Sequence, residues 1–494
     1  MAPSVASQAP VRRGRRGLGT VFAAGALAVG ASAGVVAGHD LAPRVFEIAA
    51  VSVLIVGVLV VIWHIDPAWT MSAVIVLSVF SGYWQRFSLP PLVTPDRYLL
   101  LAAIVVVVIR APVVRNRPQI PLGVAHTWIL AASIVAVGSA ATAGTLFQKD
   151  GGFRLLDRFG LLPFAAFVIA PVVFRTAKQR TILLSAFVVL GAYLGLTSIF
   201  EIAGPKSLVF PKYILDPTLH THWGRARGPF IEATSNGFAM FVCATAAAVG
   251  LATWRRREAR VAAGVVVLVC VIGIVLTLTR SVWISAAIAT FVSMLSINGL
   301  RRWLPVLTVA TVGLVLVLLT TVPRLSTLAS KRANDVGTVY QRQNLLDAAL
   351  AMTEARPLFG FGWATFEKQS GPYFTVSPAT PLAIAVPEPV HNVYASNLAE
   401  LGIVGTSVWL IAMGLAFVPT LLNRQPGESR YWRIFLGSAL LCWCSMAMAA
   451  PLLGLFPSLI LWTIGGVAAG AVGSPSDGHP RDSALVMGRE GAPW

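Results

Sequence analysis

Apolar runs of roughly 15 to 25 residues recur along the chain between short polar breaks. They begin near residues 18, 45, 68, 97, 122, 159, 181, 231, 261, 281, 303, 391, 434 and 456. Each is long enough for a helix to cross a hydrocarbon layer about 30 Å thick, where every backbone polar group must be bonded within its own segment. The pattern predicts an all-α integral membrane protein, a polytopic bundle of about 12–14 transmembrane helices with a large, partly helical extracytoplasmic loop. It divides the chain into a basic N-terminus at 1–17, helices through 18–322, the large loop at 323–390, C-terminal transmembrane helices at 391–473 and a tail at 474–494.

Composition agrees and removes the soluble alternatives. Hydrophobic residues make up 56% of the 494 positions and charged residues only 12%, with a mean hydropathy of +0.75, whereas soluble domains are about a quarter charged. Cys243, Cys270, Cys442 and Cys444 all fall within predicted helices and read as small apolar fillers. Cys442-Trp443-Cys444 lacks the spacing of a redox or zinc motif. The basic start and apolar run of VRRGRRGLGTVFAAGALAVGASA resemble a secretory signal. A multi-spanning chain needs no cleaved leader to insert its later spans, so we expect this run to stay as the first helix.

The net charge of +18 would suggest nucleic acid in a soluble protein. Here its placement sets topology instead, and no nucleic-acid partner is expected. With the N-terminus inside, the loops of one face and the tails carry 21 Lys and Arg, and the short loops of the other face carry seven. This is the positive-inside pattern, with both termini cytoplasmic. The other ten basic residues lie in two longer loops, 204–230 and 323–390, both on the outer side. The second holds seven prolines, an amphipathic stretch and a Gly-rich aromatic turn, and a long patterned loop is usually functional.

Four stretches carry the candidate chemistry. In GTVYQRQNLLDAALAMTEARPLFGFGWATF, apolar residues at 345, 346, 349, 350 and 352 have helical spacing, ended by Pro357, Gly360 and Gly362. This predicts a helix on the outer membrane surface. Arg356 in its last turn suits the helix dipole, whereas Arg342 in the first turn opposes it and needs an anion, either Asp335, Asp347 or a bound phosphate. Arg280 stands in a tight outer turn, LTLTRSVW, either snorkelling or meeting an anion that arrives from the lipid. THWGRARGPFIEATSNGF brings Arg225, Arg227, Glu232, Ser235 and Asn236 to a helix entrance that also favours anions. His220 and His222 are two ligands without a third, too few for a metal site. In VPEPVHNVYASNLAELGIVG, His391-Asn392 sits where a polar loop becomes a membrane helix, as a helix-capping pair or as a base at the membrane surface. No two acidic residues are separated by a single residue, and no G-x-x-x-x-G-K-[ST] occurs. Neither a metal held by D-x-D nor a nucleotide is therefore expected, and no cofactor.

Taken in order, Arg227-Gly-Pro-Phe, Thr279-Arg280-Ser281, Arg342 with its helix, RPLFGFGWATF and HNVYASNLAELGIVG resemble the O-antigen ligase and O-antigen polymerase family across roughly residues 200 to 410. The resemblance implies a glycosyltransferase of the cytoplasmic membrane. It would take a glycan from a polyprenyl (undecaprenyl) diphosphate carrier, at the extracytoplasmic face, to a glycan, lipid or protein hydroxyl. By matching position it implies His391 as the catalytic residue and Arg227, Arg280 and Arg342 as diphosphate ligands, with Arg225, Glu232, Asn236 and Asn392 in support. The rival from another class is a flippase of lipid-linked oligosaccharides. Such a transporter is expected to hold ionisable residues in mid-membrane, on repeated and broken helices, whereas here the candidate charges gather at one surface.

Overall fold

The computed structural model describes residues 63–80, 94–110, 122–219, 223–297, 299, 301–321, 337–374, 388–424 and 426–473. The apolar runs beginning near 18 and 45, the paired His220 and His222, and Asp335 lie outside the described residues. The other twelve runs coincide with helices: α1 (Pro67–Leu77), α2 (Pro95–Arg110), α3 (Val124–Thr142), α4 (Leu161–Val173), α5 (Ala177–Ile202), α6 (Ala233–Thr253), α7 (Arg257–Leu276), α8 (Arg280–Leu295), α9 (Leu304–Thr321), α11 (Val393–Leu422), α12 (Glu428–Ala447) and α13 (Leu455–Gly473). Between α9 and α11 lies α10 (Gly337–Ala355), the predicted amphipathic helix. Among the described residues seven helical segments are long and apolar enough to cross a membrane: α3, α4 with its preceding turn, α5, α6, α7, α11 and α13. The protein is an all-α polytopic membrane protein.

Successive helices run antiparallel, so the connections collect at two ends. α6 packs on α7, α4 on α13, α3 on α11 and α8 on α12. Small residues allow the closest approaches. A Cβ on Gly191 of α5 would stand 2.8 Å from the Cβ of Cys243 and 3.1 Å from the Sγ of Cys270. These two buried thiols and Cys442 fill space in the bundle as the sequence suggests. One end is closed by Arg180, whose Nε and Nη2 donate to the two oxygens of Glu428 at 2.6 and 2.7 Å. The opposite end gathers the turn after α3, the loop before α6, the α7–α8 turn and the segment carrying α10. All the candidate site residues belong to that end.

Candidate functional site

α10 does not lie free on a surface. Leu345, Ala348, Ala349 and Met352 form one buried stripe that packs with Phe366, Val390, Ala395 and Ala399. Leu350, one of the apolar positions on the predicted face, is exposed instead. α10 therefore buries its apolar stripe on the start of α11, a partner that the periodicity could not name. Gln341 in its second turn donates to Glu388, three residues before His391. Packing and hydrogen bond together bring the N-terminus of α10 against the loop that carries the histidine.

The segment following α10 locks into α11 through a break in that helix. Gly402 has φ 67° and ψ −174°, a conformation essentially restricted to glycine. Ile403 and Val404 thereby donate their backbone N–H groups to the carbonyls of Pro357 and Leu358 at 2.8 and 3.1 Å. Phe361 and Gly362 donate in return to the carbonyls of Ala399 and Glu400 at 3.0 and 2.9 Å. A Cβ on Gly402 would fall 2.3 Å from the Leu358 oxygen, and one on Gly360 2.6 Å from the Glu400 carbonyl carbon. The PLFGFG and LGIVG stretches are thus two halves of one interlock. Beyond it, Trp363 is fully buried, with Nε1 donating to the Gly151 carbonyl at 3.1 Å and its own carbonyl accepting from Thr145 at 2.7 Å.

Arg280, Arg342 and His391 meet above this platform. The α7–α8 turn holds Leu278 at φ 47°, an uncommon conformation for a side chain other than glycine. It presents Arg280 at the first position of α8, exposed. The Arg280 charge acts on the Arg342 guanidinium, whose pKa burial and this neighbour lower. Arg342 makes no ion pair with any described residue, Asp347 included. Burial and then the Arg342 charge push the His391 imidazole down to about 4, partly offset by the Pro389 backbone. His391 is half-buried and its Nδ1 has no hydrogen-bond partner among the described residues. Arg225 reaches towards the same turn, its Nη1 3.5 Å from the Thr279 hydroxyl.

The structure separates Arg227 from this group. Arg227 is 0% exposed. Its guanidinium donates to the carbonyls of Leu219, Ile214 and Asp216, stacks over Trp223 at 4.9 Å and pairs with Glu201 at 3.8 Å. So buried, Arg227 organises the loop through the carbonyls of 214–219, and its expected role as a diphosphate ligand stays a proposal. Asn236 is also internal, donating to Ser198 and to the Ala226 carbonyl at 3.1 Å each. Glu232 precedes α6 and accepts from Ser235 at 2.6 Å, and burial raises its carboxyl above the usual range. Asn392 caps α11 by accepting from the Ala395 N–H at 3.0 Å. Arg356 stacks over the Phe361 ring at 4.6 Å. The sequence reading passed over Glu400 and Arg158, both buried beside the interlock. Their only signal is a charge set in an apolar run.

Residues 265–410, from α7 to the middle of α11, match the family model described as O-antigen ligase. Over those residues the chain is similar to the O-antigen ligase family. No curated protein matches the chain. The matched segment includes Arg280, Arg342, the interlock and His391, and it leaves Arg225, Arg227, Glu232 and Asn236 outside.

Proposed function

We propose that the protein transfers a glycan from a polyprenyl diphosphate carrier to an acceptor hydroxyl at the extracytoplasmic face of the cytoplasmic membrane, without metal or nucleotide. The observation that carries the reading is Arg342, a cation beside Arg280 that pairs with no carboxylate among the described residues. Two guanidinium charges that act on one another favour an anion between them, and their flat forks suit phosphate oxygens. In the reaction the acceptor oxygen bonds to the anomeric carbon while the bond from that carbon to the diphosphate oxygen breaks. The electron pair leaves with the carrier diphosphate, and Arg280 and Arg342, with Arg225 beside them, neutralise the charge that grows there. The acceptor proton goes to His391, which is neutral at pH 7 and whose buried Nδ1 lacks a partner among the described residues.

Carrier-linked donor and acceptor given to the purified protein should turn over in chelator. Activity lost in chelator and restored by magnesium or manganese would overturn the metal-free mechanism. His391→Ala should lose turnover by a factor on the order of 10² to 10⁴ and still bind carrier diphosphate. Arg280→Ala and Arg342→Ala should weaken both binding and turnover, with Arg356→Ala as the control. Near-normal turnover by His391→Ala would sink the base assignment. Ligase and polymerase are separated by the glycans of a deletion strain. Free carrier-linked polymer marks a ligase, and loss of chain length marks a polymerase.

A further inference from the structure

Glu400 is a buried carboxylate at 0% exposure, nine residues beyond His391 on α11. Its Oε1 accepts from the Phe366 N–H at 3.3 Å, and the Ala364 N–H also bonds to it. Ala364 is held at φ 57°, a strained conformation for a non-glycine residue. The countercharge is Arg158, 4% exposed and lying 5.9 Å from the Trp363 ring. Arg158 Nε and Nη2 and Glu400 Oε2 have no hydrogen-bond partners among the described residues. Opposite charges buried near one another with unfilled hydrogen bonds contribute poorly to stability, and apolar residues of similar size usually serve as well or better. Its position explains it better than its energy. Phe366, whose N–H Glu400 takes, packs in one buried cluster with Leu345 on α10 and Val390. Leu345 is three residues from Arg342, and Val390 adjoins His391.

We infer that Glu400, balanced by Arg158, is a positioning residue that sets the spacing of Arg342 and His391 by drawing the 362–366 turn, and with it Phe366, on to α11. The inference rests on the roles given above to Arg342 and His391. A neutral side chain at 400 leaves the turn free to relax from its strained backbone. Phe366 then shifts, and α10 loosens against the His391 loop.

The test uses full-length protein with its four cysteines replaced and spin labels at Val339 and Phe147, both exposed. Pulsed dipolar spectroscopy reads the distance between α10 and the outer turn. Glu400→Gln should broaden that distance, weaken undecaprenyl diphosphate binding about tenfold and lower turnover at saturating donor. Arg158→Met with Glu400→Met, an apolar pair that keeps or raises the melting temperature, should still show the broad distance and low turnover. An unchanged sharp distance in Glu400→Gln, or full activity in the apolar double variant, overturns the inference. Should the distance broaden as expected while the unsubstituted protein turns over no carrier-linked donor, the clamp is supported and the transfer reading fails.

Discussion

At the scale of single residues, His391 owes its weak basicity to burial and to Arg342, and both act in the same direction. A histidine held near 4 is neutral, and able to accept a proton, at every pH above that value. The pH profile of kcat/KM reports the free enzyme, so its base limb should lie near pH 4 and not at the ordinary histidine value of about 6.5. Donor diphosphate seated on Arg342 cancels the repulsion and raises the imidazole pKa, so the limb of kcat should lie higher. In Arg342→Gln the kcat/KM limb should move up even without donor. A limb that stays at the same pH in Arg342→Gln would mean that the two side chains do not interact. The arginines divide by the same reasoning. Arg227→Ala strands Glu201 in the core and should destabilise by about 3 kcal/mol, read as a lowered melting temperature in detergent. Arg225→Ala should leave melting nearly unchanged and weaken donor binding. The sequence gives both residues the same surroundings, R-A-R before Gly-Pro-Phe. Which of them is internal depends on Glu201 and on the carbonyls of 214–219, and no spacing rule brings those to Arg227.

Elements show where sequence reading succeeds and where it stops. The bounds of α11 and α6, and the end of α10 before Pro357, follow from hydropathy and from Pro and Gly punctuation, which are local properties. The interlock is not local. PLFGFG and LGIVG each read as a turn and a helix, yet their backbone groups satisfy one another across about forty residues, and only the folded geometry of Gly402 explains both. α10 was expected on the membrane surface because amphipathicity gives a face and not its partner. The interlock makes a direct prediction. Gly402→Ala forces a side chain into a glycine-only conformation at a cost on the order of 1–3 kcal/mol, and also drives its Cβ against the Leu358 carbonyl. It should lower the melting temperature and abolish turnover. Gly414→Ala lies on the same helix with nothing within 4 Å and should be neutral or slightly stabilising. Equal melting temperatures for the two variants would show that the break at Gly402 is not needed.

On the scale of the whole molecule, the bundle has one end bearing the candidate site and another carrying Arg180 with Glu428 and the basic loops around residues 255, 301 and 430. Loops of the first kind are poor in Lys and Arg where they are short, and those of the second are rich in them. By the positive-inside rule the expected orientation of the site is outward. The orientation matters chemically, because a transferase facing out has no nucleotide at hand and must take its energy from the leaving diphosphate. Cysteines introduced singly at Gln369 and Pro426, both exposed and at opposite ends, test it in a background without the native four. An impermeant maleimide on intact cells, or on spheroplasts where an outer layer hinders access, should label position 369. Position 426 should react only after the membrane is opened. If position 426 labels first, the site faces the cytoplasm, where the proposed carrier-linked acceptor chemistry has no place, and the transfer reading would have to be abandoned along with the topology.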